Sequence, residues 1–412
     1  MGVVASLTCV LCGAGYRADE VRYTCPACGD MGALRVSYDY DAIRPVLTRE
    51  ALAARPFVDQ WRYLALLPLE RGEVALPLRV GATPLYPVPR LRRALGLQHL
   101  WVKDDTSNPS ASLKDRASAV VLLKGLELGY GDVATASTGN AAASLACLAA
   151  SLGVRCHIFV PSSAPPAKLA QLLVFGADVL PVEGTYDDAF ALCIAACRVL
   201  GWYNRNTAYN PYTVEGKKTV SLEVAEQLGW EPPDTVVVPV GDGCILSGVW
   251  KGFVDLHRLG LIRRLPRLVG AQAEGSQAIK QAFEGDGVVR PVQVATLADS
   301  IAVSLPRNGP MAVQDLRASG GMAVAVSDGE ILEAMTLLGR QAGIFGEPAG
   351  VTALAAVVKL RERGEVSADE RVVVMVTGSG LKDVDTAFKG VQLPEPLPAS
   401  LDAVRARVGR PW

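Results

Sequence analysis

The sequence predicts an α/β fold, with parallel sheets in two domains behind a short cysteine-bearing segment. Three observations point there. From about Leu100 onward, short Val/Ile-rich runs alternate with longer Ala/Leu-rich runs, the succession of strand and helix that builds parallel sheets covered on both faces. One strand–helix–strand–helix block, from about Val133 to about Trp202, is compact enough to form a small domain. The chain has 412 residues, 50% hydrophobic and 20% charged, which is length and apolar content enough for two or more cores.

Residues 1–40 read as the cysteine segment, 41–129 with 206–393 as a large α/β domain, 130–205 as a small α/β domain inserted in it, and 394–412 as a tail. Strands are expected at Leu100–Val102, Val133–Ala136, Cys156–Val160, Asp178–Val182, Thr235–Val240, Arg267–Gln272 and Arg371–Val376, short runs rich in β-branched residues. Helices are expected at Leu113–Leu128, Ala141–Leu152, Pro166–Phe175, Tyr186–Leu200, Tyr212–Leu228, Ile245–Leu259, Asp328–Ala342 and Pro348–Arg363. No fixed-period repeat stands out.

Bulk chemistry removes several function classes. A formal net charge of −1 makes no electrostatic case for nucleic acid or an acidic membrane. The apolar stretch Ala141–Val154 is interrupted by Ser144 and Ser151 and falls short of the ~18 residues of a membrane span. No basic-then-apolar leader opens the chain, and nine cysteines in so long a sequence suit a reducing compartment, the cytoplasm. Met1-Gly2-Val3-Val4-Ala5-Ser6 fits a loose myristoylation pattern too short to weigh against this.

Four of the cysteines, Cys9, Cys12, Cys25 and Cys28, form two C-x-x-C turns, each followed by a glycine, Gly13 and Gly29. Two such turns can present four thiolates at the corners of a tetrahedron, which suits structural Zn²⁺ with no open coordination position. The alternative is a zinc-ribbon-like segment that keeps its cysteines without the metal. Cys147, Cys193 and Cys197 lie in apolar helical runs and are expected in the core. His99, His157 and His257 fall in no catalytic pattern.

Four further segments carry chemistry. Asn108-Pro109-Ser110-Ala111-Ser112-Leu113-Lys114-Asp115-Arg116 sets one lysine after a turn of small residues, where a helix can begin and a flat ring can approach. Lys114 is therefore a candidate imine-forming nucleophile and base, against the ordinary reading of a solvated surface charge. Ser137-Thr138-Gly139-Asn140-Ala141 follows a strand and opens a helix, so it is an anion site or a plain N-cap. Gly241-Asp242-Gly243-Cys244-Ile245 occupies the same kind of junction and can cradle a phosphate with backbone N–H groups. It is neither a Walker loop nor a dinucleotide fingerprint. Thr377-Gly378-Ser379-Gly380-Leu381-Lys382-Asp383 follows a Val-rich strand, with glycines that admit close approach.

In this order and spacing the four segments resemble the pyridoxal-phosphate enzymes of the tryptophan-synthase-β group, most closely the threonine synthase family, from about residue 5 to about residue 390. The resemblance implies the two-domain fold type II with pyridoxal 5'-phosphate in the cleft between domains. It implies Lys114 as the Schiff-base lysine, Asn140 against the cofactor's ring oxygen, Thr377 facing the pyridine nitrogen, and Gly241, Asp242, Gly243, Cys244 and Ile245 around its phosphate. It implies Ser137, Thr138 and Ala141 as holders of the substrate α-carboxylate. The partner implied is a small amino-acid substrate, with a homodimer as the assembly to look for. Gly346-Glu347-Pro348-Ala349-Gly350 also resembles the family's Glu-Pro-Ala segment, and Glu347 reads at least as well as a helix cap or structural carboxylate with no part in the site.

The chain departs from the family pattern at several points. Ala111 replaces Gly and Leu113 replaces Phe in the lysine motif, both read as modest size changes. In Thr207–Thr219, Ala208 and Thr213 stand where related chains carry the Ser and Arg that bind the substrate phosphate of O-phosphohomoserine. Lys217 or Arg205 is then the expected substitute. The runner-up function is β-elimination or β-replacement on an unphosphorylated amino acid, of the threonine or serine ammonia-lyase kind. A third reading, a retired enzyme whose cysteine segment binds nucleic acid or protein, conflicts with the near-neutral charge and the intact lysine motif.

Overall fold

The structure, a computed structural model, describes residues 4–70 and 76–408. Met1, Gly2 and Val3 of the lipidation pattern, and the last four residues of the tail, lie outside the described residues. Strands β1 (Val4–Cys9), β2 (Gly15–Tyr16) and β3 (Leu34–Tyr38) form an antiparallel sheet in the order β2-β1-β3. In β3 the buried residues Leu34, Val36 and Tyr38 alternate with half-exposed Arg35 and Ser37, the period-two pattern of a sheet with one covered face.

The chain then lays down β4 (Leu85–Pro87) and β5 (His99–Asp104) of a larger sheet. It leaves that sheet to build β6 (Asp132–Ala136), β7 (Arg155–Pro161), β8 (Asp178–Val182) and β9 (Tyr203–Asn204), a parallel four-stranded sheet in the order β8-β7-β6-β9. It returns with β10 (Thr235–Pro239), β11 (Arg267–Ala273), β12 (Met322–Val326) and β13 (Arg371–Val376) to complete a six-stranded sheet, β12-β11-β10-β13-β5-β4, in which only β4–β5 is antiparallel. Every residue of β10 is buried, in keeping with the unbroken Val-Val-Val-Pro run that follows Thr235 without polar alternation.

Local signals set the helix ends. Thr185 and Asp188 form a reciprocal cap for Tyr186–Leu200, which stops at Gly201 with φ 71°. Ser327 and Glu330 do the same for Asp328–Ala342, which stops at Gly343 with φ 69°. The expected helix Tyr212–Leu228 is instead two, Tyr212–Lys217 and Thr219–Gln227. The Thr219 hydroxyl donates to the Gly216 carbonyl at 2.8 Å, and such back-bonding competes with the helical ladder.

The cysteine-bearing sheet is docked on both α/β layers. The Tyr38 hydroxyl donates to Glu215 at 2.6 Å, and Arg35 pairs with Asp315 at 2.8 Å. The Tyr23 ring stacks on Tyr209 with centroids 4.9 Å apart, and its hydroxyl accepts the Asn204 N–H at 3.0 Å.

Candidate active site

Lys114 is the first residue of helix Lys114–Glu127. The turn before it is held by Asp115, whose carboxylate accepts the Ser110 N–H at 2.6 Å and the Ser110 hydroxyl at 2.5 Å. Ala111 sits in the left-handed region, with φ 61°. The glycine expected there answers a backbone demand, so its replacement is a matter of conformation and not of size. Arg116 points away from the site into a buried cluster, with Nε 2.6 Å from Asp105 and Nη1 2.5 Å from Glu223, while Lys103 meets Glu223 at 2.7 Å.

Two other segments are stitched to this turn by backbone. The Leu113 N–H donates to the Thr377 carbonyl at 2.9 Å, the Ser379 N–H to the Ala111 carbonyl at 3.0 Å, and the Glu347 N–H to the Gly378 carbonyl at 2.9 Å. Lys382 clamps the Ser110 carbonyl at 2.6 Å. Motifs that are distant in sequence thus become one surface.

That surface is a wall of a cavity of about 690 Å³ at the carboxyl ends of β6, β10 and β13, where open α/β sheets hold ligands. Lys114, Thr377 and Glu347 line it. So do Ser137, Thr138, Asn140 and Ala141 at the start of helix Asn140–Leu152, and Gly241, Asp242, Cys244 and Ile245 at the start of helix Cys244–Arg258. Both helices begin at a glycine with no side-chain cap bond, Gly139 and Gly243, so their first N–H groups are available to anions. Gly243 itself packs on the far side: a Cβ there would lie 2.7 Å from Ala312 Cβ.

Lys114 is half-buried, opening onto the cavity; burial lowers its pKa below the usual lysine range, and nearby Glu347 opposes that shift. Glu347 makes no side-chain cap bond to the helix Pro348–Glu362 that follows it. It accepts from Asn140 Nδ2 at 2.7 Å, and burial raises its pKa against the pull of Lys114. The structure therefore turns Glu347 into the cavity. Gly378 makes room for this pair, since a Cβ there would lie 3.1 Å from Asn140 Nδ2.

The sequence reading missed one wall. Asp299–Leu305 and Arg307 line the cavity, and Gly241 is glycine partly because a Cβ there would meet Ile301 Cα at 2.9 Å. The available signal was the long irregular connection between the helix Ala278–Glu284 and the helix Gly309–Ala318, since long connections without regular structure are commonly functional.

At the other end of the chain, Cys9, Cys12, Cys25 and Cys28 place their sulfur atoms within 4.8 Å of one another, and the Tyr16 hydroxyl lies 3.1 Å from Cys25 Sγ. The remaining five cysteines are free and buried, with Cys147, Cys193 and Cys197 in the core as expected. His157 is held between Asp132 at 3.0 Å and Asp178 at 2.9 Å, away from the cavity. No helix among the described residues is long and apolar enough to cross a membrane.

A half-buried amine, a carboxamide, a hydroxyl and two uncapped helix starts meet around one cavity, and the class is given by residues 76–378, which match the family described as "Pyridoxal-phosphate dependent enzyme". The threonine synthase of Methanocaldococcus jannaschii is 38% identical over 96% of this chain and 98% of its own. That of Methanosarcina acetivorans is 40% identical over 98% of each. The chain belongs to the threonine synthase family of pyridoxal-phosphate enzymes. Its fold is the type II fold of these enzymes. The processed form of threonine deaminase isoform 2 from Solanum lycopersicum superposes with TM-score 0.65 at 23% identity, over 75% of this chain and 87% of that one. Maize serine racemase does so with TM-score 0.65 at 24% identity, over 74% and 90%.

The residues fit the family's cofactor. An amine with a lowered pKa suits an aldehyde, the free N–H groups of the 241–245 turn suit a phosphate, and the cavity between Lys114, Asn140 and Thr377 has room for a flat ring.

Proposed function

We propose that this chain converts O-phosphohomoserine and water to threonine and phosphate, as a pyridoxal-phosphate-dependent carbon–oxygen lyase. The observation that carries the proposal is the assembly of Lys114, Asn140, the 241–245 turn and Thr377 on one cavity, in a chain that matches threonine synthases along almost its whole length.

The cofactor, when bound, supplies an electron sink beside the substrate's amino group. Lys114 is the residue to hold it, and its amine is the base to move protons at the substrate Cα and Cβ, a task its lowered pKa suits. Asn140, oriented by Glu347 at 2.7 Å, and Thr377 set the plane of the ring. The Thr377 hydroxyl is a neutral partner for a ring nitrogen. The turn Gly241–Ile245 cradles the cofactor phosphate. Ser137, Thr138, Ala141 and the N–H groups that open helix Asn140–Leu152 bind the α-carboxylate. Asp299–Leu305 forms a further wall of the cavity. The division into a small domain of residues 130–205 and a large domain of 41–129 and 206–393 is part of this proposal.

The cysteine set is proposed to hold structural zinc. The clustering of the four sulfurs, with Cys12 and Cys25 Sγ 3.7 Å apart, suits thiolates at ~2.3 Å around one tetrahedral ion, and a tyrosine hydroxyl beside Cys25 favours its thiolate. Free cysteines throughout support a reducing compartment such as the cytoplasm.

One observation favours the second reading, elimination from unphosphorylated serine or threonine: Ala208 and Thr213 supply neither the hydroxyl nor the guanidinium of the usual phosphate segment. Product analysis decides. Incubation with O-phosphohomoserine should yield threonine and phosphate in equal amounts, with no ammonia from serine or threonine. Ammonia from those amino acids, with O-phosphohomoserine untouched, would defeat the proposal.

A further inference from the structure

Two buried cations beside the cavity make no direct ion pair among the described residues, the carboxylate acting on Lys217 being Asp242 of the same wall. These cations, Lys217 and Arg205, are fully buried. The Lys217 ammonium spends one donor on the Thr213 carbonyl at 3.1 Å. Arg205 donates from Nε to the Ser118 hydroxyl at 3.1 Å and from Nη1 to the Thr207 hydroxyl at 2.7 Å, while Nη2 has no partner. Buried cations elsewhere in this molecule are neutralised: Lys218 by Glu215 at 2.5 Å and Asp255 at 2.8 Å, Arg116 by Asp105 and Glu223. A buried amine or guanidinium without a direct ion pair is costly to keep charged, and two of them beside one cavity wall leave donors free for an anionic ligand.

We propose that Lys217 is the residue that selects a phosphorylated substrate, its ammonium binding the phosphate dianion that the substrate brings into the cavity. Lys217 lines the cavity one helical turn beyond Thr213, while Arg205 stands behind Thr207, a wall residue, and keeps the field positive. The sequence left the two as alternatives; the structure gives them different places. The root of Lys217 packs closely on the adjacent helix, where a Cβ at Gly248 would lie 2.8 Å from the Lys217 Cβ. Thr213 is no substitute, since its hydroxyl donates to the Asn210 carbonyl at 2.8 Å. Arg307, another cation of the wall, is held by Asp187 at 3.0 Å and stacks over Phe190. Burial, with Arg205 and Lys114 nearby and Cys244 and Asp242 opposing, brings the Lys217 amine down to about 7. A dianion beside it would restore the proton.

The inference rests on the threonine synthase reading, and the cofactor's own phosphate is the competing source of negative charge. The test uses holoenzyme of the parent, Lys217→Gln and Lys217→Met. It measures KM for O-phosphohomoserine, binding of inorganic phosphate by calorimetry, and cofactor affinity by absorbance. The expected result is KM raised and phosphate binding weakened by roughly ten-fold or more, the effect of one charge-assisted contact, with cofactor affinity retained in at least one variant. Unchanged KM and phosphate binding would overturn the inference. So would loss of cofactor affinity in both variants with KM at saturating cofactor unchanged, which would give Lys217 to the cofactor phosphate. A parent that binds inorganic phosphate through Lys217 yet leaves O-phosphohomoserine intact would sink the threonine synthase reading and keep the phosphate site.

Discussion

Replacing Glu223 by Gln tests the ionic floor beneath the Lys114 turn. Glu223 is wholly buried, and its oxygens accept from Arg116 at 2.5 and 2.8 Å and from Lys103 at 2.7 Å. Burial pushes its carboxyl up, but the two cations outweigh burial and hold it at about 2 instead of 4.5. At ~1.4 kcal/mol per tenfold change in a proton equilibrium, this favours the ionised folded protein by about 3 kcal/mol. The folded value lies below the unfolded one, so the contribution is complete above about pH 4.5 and is lost as the pH falls through about 2. Glutamine keeps the shape and removes the charge. Arg116 would retain Asp105 at 2.6 and 2.9 Å, and Lys103 would retain the Thr83 carbonyl at 2.7 Å and Gln227 at 2.9 Å. The expected loss therefore sits at the lower end of the ~3–5 kcal/mol for breaking a buried pair. Urea unfolding followed by circular dichroism, near neutral pH and then across the acid range, measures it. A Glu223→Gln protein within about 0.5 kcal/mol of the parent at neutral pH, or one that keeps the parent's full acid sensitivity, would refute the reasoning.

Lys114→Ala should abolish both turnover and the cofactor's lysine-linked absorbance; an active, coloured variant would move the role to another lysine. Ala111→Gly should raise the thermal midpoint, relieving up to about 1 kcal/mol of left-handed strain, and a lowered midpoint would count against that account. Changing Cys9 and Cys28 to Ser, or chelating the metal, should lower stability or solubility more than the specific activity of protein that stays folded. Metal analysis of the purified parent finding no zinc would retire the metal while leaving the cysteine cluster.

What could be read in the sequence was whatever depends on near neighbours. Asp178–Val182 and Arg371–Val376 lie where their β-branched runs put them, and Tyr186–Leu200 where its caps do. Met322–Val326 was missed because Ala323 and Ala325 dilute the strand signal, and Tyr203–Asn204 because two residues carry no period. The break at Lys218 depends on a side chain competing for a carbonyl, and hydropathy does not register it. At the site, residue types announced Lys114, Asn140 and the glycine turn, and the structure gathers them. The orientation of Glu347, the strain at Ala111 and the wall segment Asp299–Leu305 arise from contacts far apart in the chain.

The docking of the cysteine-bearing sheet gives it a grip on the segment that holds Lys217. Tyr23 takes hold near Asn204 and Tyr209, and Tyr38 at Glu215, so the stretch from Asn204 to Glu215 is pinned at both ends by residues whose own positions depend on the cysteine turns. Thr207 lies within this span and Lys217 two residues past it. Geometry in the cavity is thus set from outside the two α/β sheets. Trimming the first 40 residues to obtain a smaller catalyst would open the core that Leu34, Val36 and Tyr38 share with Leu246 and Val249 and release the stretch that carries Lys217.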